Sequence, residues 1–138
     1  RKIIENFNPN SILISNTSFY FVNFFDLNLL YPIENLDISN NELNLEFFKR
    51  VNLGKIPKLS ILNISNIKMN SFSAEILNEC KYLKVLDLSR NLLKINSTFM
   101  KNSQNLRDIY LSHTSLQDFD MKYFDFSLFE FLATVSLS

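Results

Sequence analysis

Tryptophan is absent from this chain, and glycine, cysteine and histidine occur once each. The lone cysteine, Cys80, cannot close a disulfide within the chain, so cysteine usage leaves the compartment open. One glycine leaves no glycine-rich elbow for a nucleophile or an oxyanion hole, and one histidine, His113, makes a thin catalytic inventory. Equal numbers of acidic and basic residues give no net charge, which removes the broad attraction expected of a nucleic-acid binder and leaves only a local patch open. Long apolar runs are missing too. Phe19 to Tyr31 is interrupted by Asn23, Asp26 and Asn28, and Phe124 to Leu137 by Asp125 and Glu130, so neither reads as a membrane span. Asparagine, isoleucine, lysine and phenylalanine are abundant, a bias that an AT-rich coding sequence produces by itself, and the asparagines are discounted accordingly.

What the chain does have is a recurring phrase. In LKVLDLSRNLL, the residues Leu83, Leu86, Leu88, Asn91 and Leu93 keep a spacing that neither a helix nor a simple strand produces. It returns as Ile33, Leu36, Ile38, Asn41 and Leu43, as Leu59, Leu62, Ile64, Ile67 and Met69, and as Leu106, Ile109, Leu111, Thr114 and Leu116. Poorer copies lie at either end: Pro9, Ile12, Ile14, Thr17 and Phe19, then Leu132, Val135 and Leu137. The fourth slot of the phrase is filled by Ile12, Leu36, Leu62, Leu86, Ile109 and Val135, at intervals of 24, 26, 24, 23 and 26 residues. A fixed period of this size is the mark of a solenoid. Within each copy the period-two alternation turns slots four and six inward and slots three, five and seven outward on a short strand. Six such strands stack in parallel, about 4.8 Å apart, so equivalent slots form columns.

The spacing L-x-x-L-x-L-x-x-N-x-L resembles the leucine-rich repeat family over nearly the whole chain. The fold implied is α/β: a right-handed leucine-rich repeat solenoid of six repeats over residues 1–138, with a concave parallel β-sheet and convex loops or short helices. In this family the ninth-slot side chain bonds the backbone of the turn and of the adjoining repeat. Asn41 and Asn91 suit that role, Thr17 and Thr114 offer a hydroxyl, and Ile67 can offer nothing, with Asn66 as its substitute. The first eight residues read as the back half of a repeat and Ser138 falls just inside a strand, so the chain is expected to be a fragment lacking caps.

Between the strands the return segments differ. Ser71 to Tyr82 has Phe72, Ile76, Leu77 and Cys80 at helical spacing behind a serine, and a short convex helix is expected there. Leu45 to Leu53 and Met121 to Leu132 read the same way, whereas Lys94 to Asn105 suits irregular turns. The Phe-rich stretches Phe19 to Phe25 and Tyr123 to Phe131 are expected to fill the core behind the sheet, and Cys80, on the inward stripe of its segment, reads as a buried inert thiol.

No enzyme is expected, because an open sheet offers His113, Ser112, Ser89 and Asp87 no pocket in which to act together. No cofactor and no metal are expected. The seventh slot is serine in every copy, Ser15, Ser39, Ser65, Ser89, Ser112 and Ser138, a regularity that reads as scaffold. The fifth slot varies through Leu13, Asp37, Asn63, Asp87, Tyr110 and Ser136. Together with Arg107 in the second slot and Arg90 and His113 in the eighth, it gives the candidate ligand-binding set: Asp37, Asn63, Asp87, Arg90, Arg107, Tyr110 and His113. Three N-x-S/T sequons, at Asn16, Asn63 and Asn96, are no more than so much Asn, Ser and Thr yields by chance. The L-x-L-S-x-N phrasing and a period near 24 resemble Toll-like and related receptor ectodomains. That resemblance implies a protein ligand on the concave face and an extracellular setting; the alternative is an intracellular scaffold or adaptor.

Overall fold

The computed structural model describes residues 10–16, 33–68, 72–73, 77–94, 99–114, 127 and 129–137. Its backbone is a solenoid built on one six-stranded parallel sheet: β1 (Ser11–Leu13), β2 (Asn35–Asp37), β3 (Ile61–Asn63), β5 (Val85–Asp87), β7 (Asp108–Tyr110) and β8 (Thr134–Ser136), side by side in chain order. Fourth-slot residues pair without slippage: Ile12 with Leu36, then Leu62, Leu86, Ile109 and Val135. Intervals of 23 to 26 residues therefore leave the register intact, and the back of each coil absorbs the difference.

Register is held because each strand's flanks are bonded too. Two N–H groups, those of Lys84 and Val85, converge on the Ser60 carbonyl, and those of Arg107 and Asp108 converge on that of Lys84. Beyond the strands, Asn40 N–H donates to the Ser65 carbonyl and Asn66 N–H to that of Ser89. On the inward side, Leu36, Leu62, Leu86 and Ile109 stack with Ile38, Ile64, Leu88 and Leu111 into one continuous buried cluster. Each such side chain removed from water contributes roughly 1.5–3 kcal/mol. No single coil could bury its own face; the stack does.

Two asparagines join the coils through their side chains. Asn91 Nδ2 donates to the Ile64 carbonyl one repeat back and to the Leu88 carbonyl of its own turn, while its Oδ1 accepts the Ile67 N–H. Asn41 Nδ2 donates to the carbonyls of Ile14, Ile38 and Ser39. Among the described residues Thr114 Oγ1 makes the bond within its own turn, to the Leu111 carbonyl at 2.7 Å, and none to the coil before. Ile67 is fully buried and bonds through its backbone alone. Asn66 does not replace it: its Nδ2 donates to Asn40 Oδ1, and the distortion of that turn shows instead as a left-handed Lys68, φ 56°. Thr17 lies outside the described residues.

The return segments only partly follow expectation. α1 (Leu45–Arg50) forms as read from its residues: Asn44 caps it by accepting the Phe47 N–H, Glu46 sits in its first turn, and Lys49 and Arg50 in its last. Phe47 and Phe48 turn inward and meet edge to face at 5.0 Å. A 3-10 turn, Leu53–Lys55, follows, capped by Asn52. Of the segment from Ser71 to Tyr82, for which a helix was expected, residues 72–73 and 77–82 are described, and none of these is α-helical. Phe72–Ser73 is a strand, β4, paired in parallel with β6 (Leu93–Lys94), and Leu77, in 3-10 geometry, leads into a turn closed by the Cys80 N–H on the Leu77 carbonyl. A helix this short has little stability of its own, so pairing between neighbouring coils outweighs a favourable local pattern. Phe129 is buried as expected, whereas Phe131 is half exposed; the other phenylalanines of the two Phe-rich stretches lie outside the described residues, as does most of Met121 to Leu132. Among the described residues no helix is long and apolar enough to cross a membrane.

Candidate functional site

The face of the sheet turned away from the core is formed by slots three and five. There Asp37, Asn63, Asp87 and Tyr110 occupy consecutive places in one row, each the register partner of the next. The first three share an internal task. Asp37 Oδ1 accepts the Ser39 N–H at 2.9 Å, Asn63 Oδ1 that of Ser65 at 3.0 Å and Asp87 Oδ1 that of Ser89 at 2.9 Å. Each is a side chain folded over its own backbone two residues on, holding the chain as it leaves the strand. Asn63 Nδ2 also donates to Asp37 Oδ2. The polar part of this row is therefore largely committed to the scaffold.

Tyr110 breaks the pattern. It has no carboxylate or amide to fold back, it is 37% exposed, and beyond it Ser136 Oγ meets Ser112 Oγ at 2.9 Å instead. Two further apolar side chains stand on the same face: Leu13 at 43% and Ile61 at 39%. Ile61 was not singled out from sequence, although an isoleucine in an outward slot of an alternating strand was a visible signal.

Arg90 and His113 occupy equivalent turns at the exit of their strands. Both are exposed and both have left-handed backbones, φ 59° and 54°, as have Asn16, Asn40 and Asn66 in the same slot. Arg107 is exposed at the entrance of β7, where its N–H bonds the Lys84 carbonyl. Arg107 and His113 are six residues apart along one strand and its flanks, so roughly 15–20 Å of extended chain separates them. The candidate residues thus form a row crossed by two ends, with Tyr110 at the crossing, and not one tight cluster.

Cys80 is buried in the core, and burial, followed by the charge of Glu79, pushes its thiol up to about 12. Among the described residues no group of three or more His, Cys, Asp or Glu is placed to hold a metal ion. No protein-family model matches the chain, and no curated protein is significantly similar to it.

Proposed function

We propose that this chain is a leucine-rich repeat module that recognises a protein partner through the open, concave face of its sheet, as part of the ligand-recognition region of a receptor. One observation carries the reading. The outward slots of a strand stack that the backbone holds rigidly present exposed apolar side chains, Leu13, Ile61 and Tyr110, while the carboxylates and amide beside them are engaged with the scaffold. An aromatic anchor on a preorganised surface, with arginines nearby, is the composition that concentrates binding energy in protein interfaces. The asparagine bonds of the ninth slot and the period near 24 support the leucine-rich repeat assignment. An extracellular setting rests on the L-x-L-S-x-N phrasing.

A photo-crosslinking residue at position 61 or 110, on the open face, and at position 101, on the back, tests this in the native host. Partner protein should be captured from the open face and not from the back, and its own compartment separates a receptor from an intracellular scaffold. With that partner in hand, Tyr110→Ala and Arg107→Ala should each weaken binding by about 2 kcal/mol, with Lys101→Ala neutral. The reverse pattern would refute the site.

A further inference from the structure

The flank through which the chain enters β3 and β5 has a charge that the whole molecule lacks. Residues 54–60 and 78–84 carry four lysines and a single carboxylate, Glu79, in a chain of zero net charge. Lys55, Lys58, Lys81 and Lys84 are all exposed. The side-chain ion pairs found among the described residues, Arg50 with Glu46 and Lys68 with Glu42, use none of them.

These lysines are set on a fixed frame. The Lys55 N–H closes a turn on the Asn52 carbonyl, Lys84 is bonded through its backbone to Ser60 one coil back, and Asn105 Nδ2 holds the Lys81 carbonyl from the coil ahead. Between the two coils lies an open cavity of about 240 Å³, lined by Gly54, Ile56, Pro57, Leu59, Cys80 and Tyr82 and by the charged Lys55, Lys81 and Glu79, so that what enters it must be neutral. Tyr82 is 59% exposed, the most open large hydrophobic residue of the described structure.

We propose that this flank is a second docking surface, for an extended acidic segment of a partner protein that places one apolar side chain in the cavity beside Tyr82. It does not depend on what the open face of the sheet binds. Ammonium groups that pair with no carboxylate among the described residues give the attraction, and the cavity with its tyrosine gives a fixed anchor point. A nucleic-acid strand suits the flank poorly, because every nucleotide carries a phosphate and none can be left out opposite Glu79. A peptide can place carboxylates opposite the lysines and a neutral residue opposite Glu79.

The test uses the whole chain and a short fluorescent peptide of Glu, Asp and Gly with one central Phe, titrated at low and at raised salt. Saturable binding that weakens with salt is expected, with no binding of the same peptide carrying Gln and Asn for Glu and Asp. Lys58→Gln, Lys81→Gln and Lys84→Gln should each reduce affinity by about fivefold, whereas Lys49→Gln on α1 leaves it unchanged. Tyr82→Ala should weaken the Phe peptide and not its Phe→Gly counterpart. Equal loss with Lys49→Gln, or no difference between the two peptides in Tyr82→Ala, overturns the docking surface. A sulfated polysaccharide or a single-stranded oligonucleotide that binds the flank more tightly than the peptide overturns the assignment of its occupant.

Discussion

At Arg90 and His113 the backbone sits where an L-residue is crowded by its own Cβ, at a cost that can reach about 1–2 kcal/mol. The three preceding coils place asparagine there, whose short amide tolerates the conformation. Arg90→Asn and His113→Asn should therefore each stabilise the fold by about 0.5–1 kcal/mol, read as a higher urea midpoint. An unchanged midpoint would mean that the larger side chains make compensating contacts. The abundance of asparagine could pass for coding bias in the sequence, yet five residues of one slot share a left-handed turn. Cys80 gives a residue-scale prediction in pH. Its thiol stays neutral in the fold up to about 12, while the unfolded chain ionises from its ordinary 9.0. The unfolded state then binds fewer protons, so stability holds below about pH 9 and falls as pH rises from there toward about 12. Between pH 8 and pH 10 the loss should be about 1 kcal/mol. Urea unfolding at both pH values checks it, since Cys80→Ala should lack that part of the slope.

Gly54 shows what single residues do for whole elements. It lies in the 3-10 turn after α1, and a Cβ on it would run into the Cβ of Glu79 in the turn of the next coil. The chain's one glycine is thus placed where two coils approach each other closely, a matter of space. Gly54→Ala should cost about 1–3 kcal/mol, and because Glu79 is exposed, Glu79→Gly in the same chain should recover much of it. Chemical denaturation of the single and double variants measures both; additive losses would show that the contact is not the cause. Strand positions, inward slots and the asparagine bonds were legible in the sequence because each is written as a side-chain type at a fixed interval. The strand at Phe72–Ser73 was not. The helical spacing from Ser71 to Tyr82 is real, but β4 takes its shape from β6 a coil away, and a pattern read along one segment does not contain that neighbour. The fifth slot also has a use that its residue types do not announce. Asp37, Asn63 and Asp87 vary in identity and yet share one capping bond, so chemical variety along a column concealed a common structural use.

Across the whole molecule the sheet is the constant and the backs of the coils are the variable. Six strands keep one register through intervals of unequal length, so the open face presents its side chains on a grid that changes at the back do not disturb. The solenoid reading came whole from the period; which outward residues are free to meet a partner did not, because exposure and hydrogen bonding depend on the coil next door. The backbone bonds between coils, from Asn10 through Glu34, Ser60, Lys84 and Arg107 to Thr134, all run along the direction in which the coils are stacked. A force applied to the two ends of the molecule would load those bonds one row at a time and not all at once, as teeth part in a zip fastener. Pulled in this way, the protein should give way at low force, coil by coil, each step paying out about 80 Å of chain, the contour length of a spring that uncoils from its ends.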